Sequence, residues 1–422
     1  MRCVALVDAN NFYASCETLF EPGLRGRPLV VLSNNDGCIV SRSAEAKQLG
    51  VPMGAPIHLW QRFCAQRGVI LRSSNYALYG DLSQRMVTLL QGFSPEVEVY
   101  SIDESFVDLS GEPNATATGR RIRDTLARQL RLTVGVGVAP SKTLAKFANH
   151  LAKRQACWGG VFNTADHEPT LLEALMSASP VDEVWGVGRR LADRLAADGL
   201  HTVLDLRRAD PARIRRAYGV ILERTVRELN GLSCLSIEQV EPPRRQILSS
   251  RSFGRLVHDL PSLQAALTRH ACRAAEKLRR QQGRARLVGV MIRTNPFRDV
   301  PDRRTAWIGL DHHSADSVLL TRAALAGLTQ LFVPGKAYHK AGVILADIQP
   351  DGALQSDLFA PGDDPRQLRL MQALDAVNRR LGRDTLCLAS ERQGQGWQMR
   401  MARRSPRYTT RPEEFPVVHA RT

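Results

Sequence analysis

The stretch Val97-Glu98-Val99-Tyr100-Ser101-Ile102-Asp103-Glu104-Ser105-Phe106-Val107-Asp108-Leu109 sets two adjacent acids, Asp103 and Glu104, inside an apolar run. Its flanks alternate and are rich in β-branched and aromatic residues, so they read as two strands. The acids then fall at the tight connection between them. A two-residue hairpin prefers Asn-Gly or Asp-Gly because positive φ is required there, so Asp-Glu is a poor choice for folding alone. Two carboxylates gathered at a strand end repel each other unless a cation lies between them.

A third acid stands in the same relation to a strand. Val4–Val7 reads as a short buried strand and Asp8 follows it directly. Asn10 or Asn11 can cap the next helix, whose Phe12, Cys16, Leu19 and Phe20 share one face. If the two strands are neighbours, Asp8, Asp103 and Glu104 converge at one end of a sheet. Hard oxygen ligands with open positions suit Mg²⁺. Two such ions about 3.5–4 Å apart can activate a hydroxyl and stabilise a leaving pyrophosphate. Taken singly, Asp8 reads as a helix cap and Asp103-Glu104 as a solvated turn. Their context decides against those plainer readings.

Leu29–Leu32 and Cys38–Val40 flank Ser-Asn-Asn-Asp-Gly, a hairpin signal, and Ser43–Leu49 is a short helix ended by Gly50. Leu132–Val138 is a glycine-containing strand. Ser141 caps a helix that buries Leu144, Phe147, Ala148 and Leu151 and carries Lys142, Lys146 and Lys153 on its other face. A second unit begins near Pro180. There Val184-Trp185-Gly186-Val187-Gly188 precedes a helix over Arg189–Ala197, the pattern of a helix-hairpin-helix whose amides can approach a phosphate. Past the Glu241-Pro242-Pro243 linker come strand 246–254, helix 262–281, strands 285–294 and 304–310, helix 315–331 and strand 338–348. That order is β-α-β-β-α-β. Its first helix turns Leu263, Leu267, Ala271, Ala274 and Leu278 inward and leaves Arg269, Arg273, Lys277 and Arg280 outward. A Gly/Pro/Asp-rich linker (352–365), a helical piece over Gln367–Leu381 and an irregular basic tail complete the chain.

The 422 residues suffice for two to four domains, and the net charge of +16 points to a polyanionic partner. The excess is concentrated. Residues 1–110 carry 9 Lys/Arg against 11 Asp/Glu, whereas residues 241–300 carry 13 against 4. The latter reads as a phosphate-tracking face. The eight cysteines show no C-x₂₋₄-C spacing, which removes the zinc-ribbon reading and suggests reduced thiols. No signal-peptide core or membrane span is legible, so the expectation is a soluble protein of the cytoplasm, associated with the nucleoid. Gly135-Val136-Gly137 lacks the third glycine of a dinucleotide fingerprint. Pro140 precedes Ser141-Lys142-Thr143 where a Walker loop needs glycine just before its lysine. No nucleophile elbow or H-E-x-x-H motif occurs.

Four segments closely resemble the Y-family translesion DNA polymerases, and its UmuC branch (the catalytic-subunit type of DNA polymerase V) most closely. They are Asp8-Ala9-Asn10-Asn11-Phe12-Tyr13-Ala14-Ser15-Cys16-Glu17, Leu32-Ser33-Asn34-Asn35-Asp36-Gly37-Cys38, Tyr100-Ser101-Ile102-Asp103-Glu104 and Lys142-Thr143-Leu144-Ala145-Lys146. Ser250-Arg251-Ser252-Phe253-Gly254 and the tail Ser405-Pro406-Arg407-Tyr408-Thr409-Thr410-Arg411 agree as well. The resemblance implies an α+β right-hand polymerase. Its palm would take 1–30 and 81–178, small fingers 31–80, a helical thumb with the helix-hairpin-helix 179–240, and a βαββαβ little finger 241–350. A C-terminal linker, clamp-binding peptide and tail would take 351–422.

By that resemblance Asp8, Asp103, Glu104 and the Ala9 carbonyl bind two Mg²⁺ ions, with Mn²⁺ as a substitute. Tyr13, with Phe12 beside it, takes the steric-gate position under the sugar, and Lys47 and Lys153 hold the incoming dNTP triphosphate. One departure is Ala44, three residues before Lys47, where some members have Tyr. Gly186, Gly188, Arg251 and Arg255 would grip primer-template DNA. Gln355-Ser356-Asp357-Leu358-Phe359 resembles a sliding-clamp peptide, with Gln355, Leu358 and Phe359 as its contacts. A UmuD-like processed dimer and RecA are the other implied partners, and error-prone translesion synthesis in the DNA-damage (SOS) response is the implied function. A non-catalytic DNA-binding scaffold and a nucleotidyl cyclase are the alternatives. The three intact acids speak against the first, and the lack of Gly-Gly-Asp-Glu-Phe against the second.

Overall fold

The computed structural model describes residues 2–238, 242–296, 300–353, 362–382, 384–392, 397–415 and 417. The chain divides into two compact units, one of residues 1–33, 38–241 and 403–422, the other of 34–37 and 242–402.

The first unit is built on a sheet ordered β5-β6-β1-β7-β8, comprising β1 (Val4–Ala9), β5 (Val97–Val99), β6 (Glu104–Asp108), β7 (Val134–Ala139) and β8 (Val161–Asn163). The central β1 is antiparallel to both β6 and β7. Period-two alternation explains why β1 is buried on both faces. Ala5 and Val7 join a core with residues of α4 (Tyr76–Gln91) and α5 (Ala115–Leu130). Val4 and Leu6 join another with α6 (Lys142–Arg154) and the helices that follow it. These are α7 (Pro169–Ser177), α8 (Arg189–Ala197), α9 (Val203–Arg208), α10 (Pro211–Tyr218) and α11 (Val220–Leu229). A smaller sheet, β3-β2-β4, comprises β2 (Leu29–Leu32), β3 (Ile39–Arg42) and β4 (Ile70–Ser73). It shares a core with α2 (Ala44–Gln48) and α3 (Ile57–Gln66). The remaining helix of this unit, α1 (Phe12–Phe20), follows β1.

The glycines of β7 serve packing. A Cβ on Gly137 would lie 2.1 Å from the Asn149 nitrogen and 2.2 Å from the Ala145 oxygen, so only glycine lets α6 sit this close to the strand. Asn149 then donates to the carbonyls of Leu6 (3.2 Å) and Gly135 (2.7 Å), fastening α6 across β1 and β7.

The second unit follows the order read from the sequence: β9 (Ile247–Val257), α12 (Leu260–Arg280), β10 (Gly283–Thr294), β11 (Arg303–Ser314), α13 (Ser317–Leu331) and β12 (Tyr338–Pro350). The strands form an antiparallel sheet ordered β11-β10-β12-β9, and both helices contribute to its core. Leu263, Leu267 and Leu278 are fully buried there, each stabilising the fold by roughly 1.5–3 kcal/mol. The later helix α14 spans Pro365–Leu381.

Four local expectations need correction. The β5–β6 connection is not a two-residue turn at the acids. It runs from Tyr100 to Asp103, and the amides of Tyr100 and Ser101 both donate to the Glu104 carbonyl (3.1 Å each). None of these residues has positive φ, so Asp103, the last residue of the connection, and Glu104, the first of β6, are held without left-handed backbone strain. Asn11 stands at the α1 N-cap but in the left-handed region (φ 52°), and its side chain makes no capping bond. The element before the Gly186 loop is a single 3₁₀ turn, Val181–Glu183, rather than a helix. Arg269 and Arg273 are not free on the outer face of α12, because both pair with Asp384. All eight cysteines are free thiols. Among the described residues no helix is long and apolar enough to cross a membrane.

Candidate active site

The β1–β6 register places Asp8 directly opposite Glu104. The Ala9 amide donates to the Asp103 carbonyl at 2.9 Å, which holds the loop residue against the end of β1. All three acids thus stand at one sheet end, as the sequence implied. Ser101 organises the loop from below. Its hydroxyl donates to Asp103 Oδ1 (2.7 Å) and accepts from the amides of Asp103 (3.3 Å) and Glu104 (3.1 Å).

Helix α6 supplies the counter-charges, because Lys146 and Lys153 lie two turns apart on its sheet-facing side. Lys153 pairs with Asp8 and Lys146 with Glu104 (2.7 Å). Lys153 can reach across because Gly135 offers no side chain, and a Cβ there would lie 2.7 Å from the lysine Cγ. Burial pushes the Asp8 carboxyl up to about 6; Lys153 pulls it down, and Glu104 and Asp103 add to the rise. The third lysine, Lys142, is buried at 4% exposure and pairs with Glu98 instead of facing outward.

Lys47, on α2, has its ammonium held below the ordinary lysine range by burial and by the charges of Arg42 and Lys153, with Asp8 opposing. It therefore shares the electrostatic environment of the acids. Tyr13 is half-buried on α1, and burial, then Tyr76 and Asp103, push its hydroxyl up to about 12. Phe12 is a core residue at 3% exposure, its ring 5.9 Å from that of Tyr13. Gly186 adopts positive φ (88°), while Gly188 is an extended N-cap of α8 with no side-chain cap bond. In the second unit Arg251 and Arg255 are exposed on β9. The peptide with Gln355, Leu358 and Phe359 lies outside the described residues.

Two groups escaped the sequence reading. Lys146 was placed on a basic face without a partner, although its i, i+7 relation to Lys153 was the available signal. Its ammonium also sits over the rings of Tyr100 (4.4 Å) and Trp185 (5.2 Å), and the Trp185 indole donates to the Tyr100 hydroxyl (3.0 Å). The other is Tyr79, which stacks on Tyr13 with ring centroids 4.4 Å apart at 15°. No local pattern announces that contact.

The donor set fits hard divalent cations, being carboxylates and a backbone carbonyl gathered at one sheet end. The side chains are not yet collected around one point. Among the described residues no group of three or more His, Cys, Asp or Glu is gathered closely enough to hold a metal ion. Two of the acids are turned to lysines instead.

Comparison with known proteins identifies the family. Residues 7–150 match the model of the impB/mucB/samB family, 244–358 its C-terminal domain, and 368–418 a domain of unknown function (DUF4113). The chain is 44% identical to protein UmuC of Salmonella typhimurium, over 96% of this chain and 98% of that protein. It is 43% identical to protein SamB of the same organism, over 98% and 99%. DNA polymerase IV 1 of Bacillus subtilis is 28% identical over 90% of this chain and 91% of that one. Among solved structures, a Y-family DNA polymerase chimera of Dbh and Dpo4 superimposes with a TM-score of 0.65 at 23% identity, covering 82% of this chain and 99% of the other. The α+β fold is therefore that of the right-hand Y-family polymerases, and the chain belongs to the impB/mucB/samB family, as a UmuC-like member.

Proposed function

We propose that the end of the central sheet carries out nucleotidyl transfer from a dNTP to a primer 3′-hydroxyl, with Asp8, Asp103 and Glu104 as its acids. The enzyme is a DNA-directed DNA polymerase of the translesion type, as its family membership states. The observation that carries the site assignment is the Asp8–Glu104 register pair with Asp103 adjoining and two α6 lysines facing it.

Asp8, Asp103, Glu104 and the Ala9 carbonyl would hold two Mg²⁺ ions, with Mn²⁺ able to replace them. When bound, such ions supply Lewis acidity toward the attacking hydroxyl and the leaving pyrophosphate. The chain's own groups do the rest. Lys153 and Lys47 offset phosphate charge that grows in the transition state. Ser101 fixes the Asp103 carboxylate in one orientation. Tyr13 would place its ring under the sugar as the gate against a ribose 2′-hydroxyl. Residues 1–30 and 81–178 serve as palm, 31–80 as fingers, 179–240 as thumb and 241–350 as little finger. The exposed Arg251 and Arg255 and the Gly186–Gly188 loop hold DNA by its phosphates, without regard to sequence. A sliding clamp at Gln355, Leu358 and Phe359, a UmuD-like dimer and RecA complete the partners, with the nucleoid as the place of work.

The deciding experiment is primer extension with Mg²⁺ by Asp103→Ala and Glu104→Ala. Each is expected to lose at least about 10³-fold in rate while DNA binding persists. Retained extension would remove the site assignment.

A further inference from the structure

The C-terminal tail, within the matched domain of unknown function, makes a buried contact with the helix that backs Tyr13. Residues 403–408 belong to the first unit. Arg403 and Ser73 bond reciprocally, through Ser73 N to Arg403 O (3.1 Å) and Arg403 N to Ser73 Oγ (2.9 Å). Asn75 caps α4 through its Oδ1, which accepts from the Leu78 amide, and turns its side-chain nitrogen to the tail. It donates to the Ser405 carbonyl (3.1 Å), the Ser405 hydroxyl (2.9 Å) and the Pro406 carbonyl (3.0 Å). Tyr408 stacks on Phe20 (4.6 Å, 11°) and donates to Glu21 (3.0 Å).

At the centre of this contact is Glu17, with no solvent exposure at all. A single oxygen, Oε1, accepts from the Tyr79 hydroxyl (2.6 Å) and from the Ser405 hydroxyl (3.1 Å). The other oxygen has only Arg72 Nε at 3.9 Å and no hydrogen bond. A buried carboxylate so sparsely satisfied depends on the bonds it has. Tyr79 in turn stacks flat against Tyr13, with Tyr76 edge-on to both (6.2 and 6.3 Å). A continuous path therefore runs from Ser405 through Glu17 and Tyr79 to the ring at the sugar-gate position.

We propose that the tail segment Arg403–Tyr408 is a positioning strap for the sugar gate, with Ser405 and Glu17 setting the pose of Tyr79 and so of Tyr13. This rests on the reading of Tyr13 as the gate. The strap residues bond to Ser73, Asn75, Glu17 and Glu21. They act by removing the freedom of Tyr13 to tilt away from a ribose 2′-hydroxyl.

The test is single-nucleotide insertion on an undamaged primer-template by the full chain, with the same accessory proteins in every arm. The readout is the ratio of kcat/KM for the ribonucleotide to that for the deoxyribonucleotide. Ser405→Ala and Tyr79→Phe are each expected to raise that ratio about tenfold, the loss of one hydrogen bond to a charged group. Insertion of the deoxyribonucleotide stays within about threefold, since the acids are untouched. Ser405→Thr, which keeps the hydroxyl, retains the wild-type ratio. In a Tyr13→Ala background Ser405→Ala adds nothing, which a general loss of stability would not produce. If Ser405→Ala fails to fold, the near-isosteric Ser405→Cys replaces it. A wild-type ratio in the Ser405 variant, with Tyr13→Ala raised, overturns the strap and leaves the gate standing. An unchanged ratio in Tyr13→Ala removes the gate, and the strap with it.

Discussion

Lys146 donates to Glu104 Oε2 at 2.7 Å, so a lysine of α6 already engages the second acid of the Asp103-Glu104 pair. Ammonium and divalent cation compete for the same carboxylate oxygen, and the lysine charge repels the ion as well. In Lys146→Met the Mg²⁺ concentration for half-maximal extension is expected to fall by about threefold, as one weakly screened charge is removed. A Mg²⁺ titration of primer extension checks this. An unaltered midpoint would argue that Glu104 is not a metal ligand.

Gly137 and Gly135 belong to one strand yet have different consequences. Gly137→Ala drives a Cβ into the α6 backbone at 2.1 Å from Asn149 N, where nothing flexible can yield. A loss of about 3 kcal/mol or more is expected, read as a lower denaturant midpoint. Gly135→Ala meets first the flexible Lys153 stem. That variant is expected to fold and to show a several-fold higher KM for dNTP, because the displaced lysine no longer lies beside Asp8. Equal stability losses in the two variants would contradict the contrast.

His270 lies in the core of the second unit at 2% exposure, hydrogen-bonded to Ser249 Oγ (3.1 Å) through Nδ1. Burial, then the surrounding Arg273, Arg251, Arg269 and Lys340, hold its imidazole down at about 3. The unfolded chain takes up a proton below about 6.5 that the folded chain refuses. Stability is therefore full above that pH and is lost as pH falls toward 3. Between pH 6.5 and 5 the wild-type unfolding free energy is expected to decline with a slope approaching ~1.4 kcal/mol per pH unit from this group. In His270→Gln the slope over that interval flattens. Parallel curves from urea titrations across the interval would exclude His270 as the cause.

Arg255 is exposed on β9 within the basic stretch 241–300. If it meets a DNA phosphate, Arg255→Ala reduces the slope of log K against log salt by about one, uniformly across template sequences. Fluorescence anisotropy at several salt concentrations measures that slope. No change would place the DNA path elsewhere.

The second unit was legible almost element by element because its signals are local. The period of 3.6 in Leu263, Leu267, Ala271, Ala274 and Leu278, and the alternation of the strands, depend only on near neighbours in the chain. The acids were legible for a related reason, since Asp8 and Asp103-Glu104 each close an apolar run. The β5–β6 turn departs from a two-residue hairpin because its length is set by the Ser101 hydroxyl and the Glu104 carbonyl, bonds that residue type alone does not announce.

Residue order by itself determined the βαββαβ succession and the acids at the ends of apolar runs, because hydrophobic period and chain neighbourhood are enough to specify them; the fold class followed from the resemblance of its motifs to a family. Tertiary structure alone decided that Lys153 faces Asp8 and Lys146 faces Glu104, and that Lys142 turns away to Glu98. It alone decided that Tyr79 lies under Tyr13, with Ser405, 388 positions along the chain from Glu17, sharing its carboxylate. Such pairings depend on sheet register and on how closely a helix can approach a glycine strand, and those are settled only when the whole core is packed.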